Sequence, residues 1–195
     1  MLTPHHRLDL PVEFTPWISR SDSRFDPNNT TTSQEIVIGR SEYSANNRPL
    51  LLWLLEQDLI VDAVRVFRSL PHAVYHLHRD LDPSMPQDYP VVKLNFIRHS
   101  FGSRMLWYKL KPGAVSSDYT NPSGITSQHY RPEDCDLAWD TECDTDCLIN
   151  GGEIHTLVNG PNQDQPRMAY SWVITNREGT LTYADAVAQL LPWLS

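Results

Sequence analysis

The sequence predicts a mainly β fold, and three observations support this prediction. Several segments between residues 59 and 176 alternate apolar and polar side chains, which is typical of strands that bury one face. Turn-forming Gly, Pro and Asn separate these segments. A His-x-Asp pair is also followed, far along the chain, by a second His and an Arg, and only a scaffold that pairs remote segments can bring such groups together.

Composition limits the architecture and the class of partner. A chain of 195 residues with 40% hydrophobic content can bury one sizeable core, so we expect a single domain over residues 1–195. The net charge of −8 disfavours nucleic acid and anionic membranes as partners. The first residues lack a basic start followed by an apolar run, and no apolar run approaches membrane length. We therefore expect a cytoplasmic protein.

Three cysteines, Cys135, Cys143 and Cys147, lie among acidic residues. An odd number without a secretion signal favours reduced thiols. Their spacing does not match a zinc knuckle, and neighbouring carboxylates disfavour thiolates. We expect incidental cysteines, with a metal or redox role as the alternative.

The N-terminal half begins with an irregular arm. Residues 1–34 are rich in Pro, Ser, Asn and Thr, with scattered aromatic residues that we expect to pack over the core. Residues 35–39 form a short predicted strand, and Asn47 is a predicted cap for a helix that starts near Pro49. Alternation predicts strands at 61–70 and 72–80, which belong to a jelly-roll core at about 59–176.

The remaining elements follow the same reasoning. Two predicted strands, 91–97 and 103–110, are joined by a turn containing Gly102 that suits a hairpin. The loop at 81–90 is a candidate lid or a plain connection. Residues 111–146 are predicted to be irregular, and their acidic part, 118–146, is either a substrate loop or a solvated loop. A strand carrying His155, a return strand at 167–175 and a C-terminal helix at 181–194 complete the chain.

His78 and Asp80 are the first two candidate metal ligands. Because side chains alternate along a strand, both point to one face while Arg79 points to the other. Two imidazoles and one carboxylate can hold a divalent iron and leave coordination positions open, so His155 is the third candidate. Arg167 begins a strand that is otherwise apolar, and its guanidinium suits a carboxylate partner.

This pattern resembles the Fe(II)/2-oxoglutarate-dependent dioxygenases, and most closely their aspartyl/asparaginyl β-hydroxylase-like branch. The resemblance covers about residues 60–176 and implies a double-stranded β-helix, a cupin-like jelly roll. It implies that His78, Asp80 and His155 bind Fe(II) at the catalytic centre and that Arg167 binds the far carboxylate of 2-oxoglutarate. Molecular oxygen is the other cosubstrate, and hydroxylation of a C–H bond would release succinate and carbon dioxide.

Further cosubstrate contacts are expected at Asn95, Tyr108 and Ser171. Asn95 and Tyr108 are polar-tipped residues within apolar strands, at positions that often line the cosubstrate pocket in the resembling family, and packing in the β core is the alternative role. Plant-type members have a Ser two residues after the Arg, where this chain has Ala169, so Ser171 is expected to reach the pocket instead. His76 shares the face of His78 and is a candidate for supporting the ligands, or an ordinary hydrogen-bonded histidine.

Two other functions compete with this interpretation. A cupin-like metal enzyme would keep the metal ligands but would have no need for Arg167. A non-catalytic β-sandwich interaction module would use the histidines and Asp80 structurally. The expected substrate is an amino acid, a peptidyl side chain or a small metabolite, and the sequence does not predict which one, or the oligomeric state.

Overall fold

The computed structural model describes residues 2–29, 33–71, 73, 75–81, 91–120, 126–160 and 165–195. Within these ranges the chain forms twelve strands and three α-helices. The strands are β1 His5–Arg7, β2 Gln34–Ile38, β3 Ile60–Ser69, β4 Leu77–Asp80, β5 Val92–Arg98, β6 Arg104–Leu110, β7 Ser117–Thr120, β8 Thr126–Tyr130, β9 Cys135–Glu142, β10 Cys147–Asn150, β11 His155–Val158 and β12 Arg167–Thr175. The helices are α1 Arg40–Asn46, α2 Arg48–Glu56 and α3 Tyr183–Leu190.

The strands form two antiparallel sheets of six. The first sheet has the order β1-β10-β5-β12-β3-β2, and the second has the order β7-β8-β4-β11-β6-β9. The chain alternates between the sheets from β3 to β6 and again from β9 to β12, while β6, β7, β8 and β9 all lie in the second sheet. This alternation is the topology of a double-stranded β-helix, or cupin-like jelly roll, and it confirms the predicted fold class.

The main hydrophobic core lies on the face of the first sheet that is turned away from the second. Tyr170 and Trp172 of β12 pack there with residues of α1, α2, α3 and the N-terminal arm. Phe14 of the arm stacks on Phe96 of β5 at a ring separation of 4.1 Å. A buried aromatic pair of this kind contributes on the order of 1 kcal/mol beyond its burial. The arm therefore contributes Phe14 to the core.

The alternation of side chains leaves a different set on the inner face of the first sheet. Lys93, Asn95, Arg167 and Ser171 are buried there, although all four are polar. Opposite them, Met105 and Trp107 of β6 form a small cluster with residues of β10. The space between the sheets is thus lined by polar groups on one side, which is where a polar ligand can be held.

Three local predictions were wrong. β5 and β6 lie in different sheets, so residues 99–103 cross between the sheets and do not form a hairpin turn. Residues 111–146, predicted to be irregular, contain β7, β8 and β9. The side chain of Asn47 does not cap α2, since its amide instead binds the backbone N–H and carbonyl of Thr15 at 2.8 and 3.0 Å.

Thr182 and Asp185 form a reciprocal capping box at the start of α3, which supports the predicted C-terminal helix. The candidate lid at 82–90 lies outside the described residues. None of the helices in the described ranges has the length and apolar character that crossing a bilayer requires.

Candidate metal centre and inner pocket

Strands β4 and β11, which are neighbours in the second sheet, bring three candidate ligands together. His78 and Asp80 lie on one face of β4, and His155 of β11 is the direct cross-strand partner of His78. The rings of the two histidines are 4.5 Å apart. One ligand atom from each of His78, Asp80 and His155 lies within 4.8 Å of the other two. Their grouping follows from the strand pairing and not from their spacing in the sequence.

Both histidines are oriented by the same backbone contact. His78 Nδ1 lies 2.9 Å from the carbonyl oxygen of His76, and His155 Nδ1 lies 2.7 Å from the carbonyl oxygen of Glu153. A neutral imidazole that donates from Nδ1 has its lone pair on Nε2. His155 Nε2 faces the Asp80 carboxylate at 3.6 Å. This fixed tautomer and ring orientation are what a metal-binding histidine needs.

Asp80 is a buried carboxylate with a charged neighbour. Its Oδ2 accepts a hydrogen bond of 2.5 Å from Lys93 Nζ. Burial alone raises the pKa of Asp80, but its interactions with Lys93 and with the two histidines outweigh burial, and the net pKa lies below its ordinary value. Asp80 is therefore ionised at neutral pH and can serve as a ligand.

His155 is buried and uncharged. Burial is the main cause that lowers the pKa of His155, and the neighbouring His78 lowers it further. The pKa therefore falls from 6.5 to about 3, although the charge of Asp80 acts in the opposite direction. A neutral imidazole can donate its Nε2 lone pair to a cation without first losing a proton.

Gly151 is required by close packing against Asp80. A Cβ atom at this position would lie 2.6 Å from Asp80 Oδ2 and 3.1 Å from the carbonyl oxygen of Val91. The backbone of Gly151 also accepts a hydrogen bond from Asp80 N–H and donates one to Val91. The turn that precedes β11 thus also supports a candidate ligand, Asp80.

Lys93 is a residue of the site that the sequence interpretation missed. Its side chain is buried on the inner face of β5, two positions before Asn95, and contacts Asp80. A lysine within the apolar run of β5 was the available signal, because a buried ammonium needs an anionic partner. The partner could not be identified without knowing the pairing of the strands.

Arg167 is buried at the start of β12, as predicted. Within the described part of the chain, its Nη2 donates to the carbonyl oxygen of Cys143 at 3.4 Å and contacts Cys143 Sγ at 3.3 Å, while its Nε has no hydrogen-bond partner. In the same ranges no carboxylate forms an ion pair with it. A buried guanidinium with unused donors can bind an anion.

Two of the three further cosubstrate candidates lie near one another, and the third does not. Asn95 and Ser171 are direct partners across β5 and β12, and both are buried on the inner face. Among the described atoms, Asn95 Oδ1 lacks a hydrogen-bond partner. Tyr108 instead packs with Leu77 and Tyr130 in a separate cluster, on the opposite face from His78. A break in strand register between Trp107 and Tyr108 accompanies this position, so the prediction for Tyr108 was wrong.

His76 supports the site through its backbone. Its carbonyl oxygen accepts the hydrogen bond from His78, while its ring stacks on His129 at 5.3 Å. His129 is the direct partner of His78 on the other side of β4. An open groove of about 680 Å³ is lined in part by His76 and by His129, whose ring lies 6.2 Å from that of His78.

Cys143 differs from the prediction that neighbouring carboxylates disfavour a thiolate. The hydrogen bond from Cys147 lowers the pKa of Cys143 against the effect of burial, and Arg167 adds to this lowering, whereas the pKa of Cys147 is raised. The acidic neighbours do not determine the pKa of Cys143. The Asp144 carboxylate accepts hydrogen bonds from the Ser100 hydroxyl and the Ser103 N–H instead. Cys135 lies apart from this pair, in the cluster that contains Leu77.

The ligand set fits a divalent first-row cation. Imidazole nitrogen suits iron, zinc and copper, and one carboxylate added to two imidazoles is typical of non-haem iron sites with open positions. Lys93 already compensates part of the charge of Asp80, so a bound cation shares that carboxylate with an ammonium group.

Comparisons with known proteins add little to this description. No protein-family model and no curated protein matches the sequence. Among solved structures, the chain is similar to E. coli ycfD, with 13% identity and a TM-score of 0.43 over 95% of this chain; it spans 45% of that protein. It is also similar to an oxalate oxidase, with 9% identity and a TM-score of 0.34, over 98% of this chain and 90% of the other. Neither likeness is close enough to bear on function.

Proposed function

We propose that this protein is an Fe(II)- and 2-oxoglutarate-dependent dioxygenase that hydroxylates a C–H bond of an amino acid, a peptidyl side chain or a small metabolite. One observation carries the proposal. A His-Asp-His triad with oriented Nε2 atoms lies in the same jelly-roll interior as Arg167, a buried guanidinium with no carboxylate partner among the described residues.

The triad supplies the iron-binding half of the proposal. His78 and His155 each offer the Nε2 atom of a ring whose Nδ1 contacts a backbone carbonyl, and Asp80 offers an ionised oxygen. Three protein ligands on one side leave room for a chelating cosubstrate and oxygen on the other. The backbone contacts of both imidazoles keep the ligands in place before the metal binds, which lowers the ordering cost of binding.

The inner face of the first sheet supplies the cosubstrate-binding half. Arg167 can pair with the far carboxylate of 2-oxoglutarate through its unused donors, and Asn95 and Ser171 can bind its other oxygens. Burial strengthens such a pair because water does not screen it. Lys93 adds a second positive charge to the same interior.

When bound, Fe(II), 2-oxoglutarate and oxygen supply oxidative decarboxylation to succinate and carbon dioxide, coupled to hydroxylation of the substrate. The residues of the chain would bind and orient these groups and would shield them from water. Trp107, which is almost fully buried beside His155, excludes water from one side of the triad. The substrate would approach from the side of His129, which lines the open groove and whose ring lies 6.2 Å from that of His78.

Calorimetric titration of 2-oxoglutarate into protein loaded with Mn(II), which does not start turnover, tests the cosubstrate site. Arg167→Lys keeps the charge but loses the forked donor, and we expect it to weaken 2-oxoglutarate binding about 10- to 100-fold, as the loss of a charge-assisted hydrogen bond does. Mn(II) affinity should change little. Arg104→Lys, on an exposed residue paired with Asp140, is the matched control. Equal 2-oxoglutarate affinity in all three proteins would remove Arg167 from the site.

A further inference from the structure

A second group of potential ligands lies between the sheets, apart from the triad. His5 of β1 contributes one nitrogen, and Cys143 and Cys147 contribute their sulfurs, and these three atoms lie within 4.8 Å of one another. Cys147 and Ile149 share the inner face of β10, and His5 is the direct partner of Ile149. His5 therefore lies diagonally across from Cys147, a separation that a long side chain can bridge.

The backbone holds this second group in place. Cys143 N–H donates to the carbonyl oxygen of Ser103 at 2.8 Å, which fixes the turn that precedes β10. His5 is anchored by the pairing of β1 with β10. Both thiols are buried, and among the described residues the buried Nε2 of His5 has no hydrogen-bond partner. A buried ring nitrogen without a partner is costly unless something binds it.

The surroundings favour thiolate and imidazole ligands over carboxylates. The nearest acids in sequence are occupied elsewhere, because Asp144 binds Ser100 and Ser103 while Asp146 binds Arg98. Arg167 contacts Cys143 Sγ at 3.3 Å, and a neighbouring guanidinium favours the thiolate form. Two sulfurs and one imidazole form a soft ligand set, which selects zinc or copper(I) over magnesium, calcium or manganese.

We propose that His5, Cys143 and Cys147 bind a thiophilic ion, zinc or copper(I), at a site distinct from the triad. Tetrahedral zinc holds two thiolate sulfurs about 3.8 Å apart, so the three side chains need only small rotations to close on the ion. Trp107 separates the two sites, with its ring 6.0 Å from that of His5 and 6.4 Å from that of His155. The ion would fasten β1 to the turn at Cys143 and to β10, and this role does not depend on the proposed dioxygenase activity.

Cobalt(II) titration of the fully reduced protein tests the proposal, because cobalt bound to thiolates gives intense charge-transfer absorption that nitrogen and oxygen ligands do not give. The measurement uses wild type and a His78→Ala/His155→Ala variant that lacks the triad. We expect one equivalent of thiolate-bound cobalt in both proteins, displaced by either zinc or copper(I). Absence of thiolate absorption in reduced wild type would overturn the proposal, even if cobalt binds to the triad.

Variants with matched controls locate the ligands. Cys143→Ser and Cys147→Ser should abolish the thiolate absorption, whereas Cys135→Ser, which changes the buried cysteine outside the group, should leave it unchanged. His5→Gln should weaken cobalt binding at least about tenfold. His6→Gln is its control, because His6 points to Thr3 and Tyr183. Undiminished absorption in both the Cys143 and Cys147 variants would contradict the assignment.

Discussion

Lys93 Nζ lies 2.5 Å from Asp80 Oδ2, so an ammonium group and a candidate metal ligand form one buried ion pair. The ammonium compensates the negative charge of a carboxylate that is buried beside two imidazoles. Lys93 therefore helps to keep Asp80 ionised, and it would compete with a bound cation for the same oxygen.

Lys93→Met tests this pairing, because it removes the charge and keeps most of the side-chain volume. Breaking a buried ion pair by removing one partner costs about 3–5 kcal/mol, so the metal-free variant should have a lower free energy of unfolding by about that amount. Added Fe(II) should stabilise the variant more than wild type, since the metal then replaces the missing charge. Denaturant unfolding with chelator and with Fe(II) measures both effects. Lys109→Met, at an exposed position of β6, is the control, and equal losses in the two variants would contradict the account.

Asp80→Asn tests the triad with little change of shape. The amide is a weak ligand and carries no charge, so Fe(II) affinity should fall at least about 100-fold. Anaerobic equilibrium dialysis measures the affinity. Asp118→Asn, on exposed β7, should bind Fe(II) as wild type does. An Asp80→Asn variant with unchanged Fe(II) affinity would show that Asp80 is a structural partner of Lys93 alone.

Gly151→Ala tests the packing that positions Asp80. The added Cβ would lie 2.6 Å from Asp80 Oδ2, so the carboxylate must move away from the two histidines. We expect Fe(II) affinity to fall about 10- to 100-fold, as it does when the support of a ligand is removed. Gly39→Ala, where a Cβ meets nothing within 4 Å, is the matched control. The account would be wrong on this point if both alanine variants bound Fe(II) equally well.

His155 predicts how the stability of the metal-free protein depends on pH. Its pKa is about 3 in the folded state and near 6.5 in the unfolded chain, so between these values the unfolded chain binds more protons and stability falls as pH falls. From pH 7 to pH 5 the loss from this one group amounts to about 2 kcal/mol. His5, whose pKa is lowered to about 4 by burial and then by His6, adds a loss of the same sign.

Urea unfolding at pH 7 and pH 5, with chelator present, measures this dependence. His155→Gln should be less sensitive to pH than wild type by about 2 kcal/mol over that range. Asp80 does not contribute there, because an aspartate whose folded-state pKa is depressed loses its stabilising effect only as the pH falls below about 4. Equal pH dependence in wild type and in the His155 variant would show that this imidazole is not buried in its neutral form.

The sequence predicted the elements in which one face is apolar. β12, Arg167–Thr175, was predicted with its bounds, and His78 and Asp80 were correctly expected to share a face of β4. β9 was missed because it is largely exposed along its length, so it has no buried face to produce alternation. α1 was missed because Tyr43 is its only buried residue and no helical repeat of apolar residues marks it.

Contacts across the interior were harder to predict because they depend on which strands pair. The turn between β5 and β6 has residues that suit a hairpin, yet the strands enter different sheets. Lys93 and Asp80, or His5 and the two cysteines, become neighbours only after the sheets form. Local sequence contains no information on these pairs, whereas His78, Asp80 and His155 were selected as candidate ligands from their residue types and order.

The most direct test of the central claim is an anaerobic titration of the purified protein with Fe(II) and then 2-oxoglutarate, followed by visible absorption. Chelation of Fe(II) by the keto-acid end of 2-oxoglutarate gives a weak charge-transfer band that neither component gives alone. The proposed dioxygenase should show this band at one equivalent of each, and His78→Ala should abolish it. Fe(II) binding without the band would contradict the claim and favour a metal enzyme that does not use 2-oxoglutarate. Failure to bind Fe(II) at all would leave the triad with a structural role.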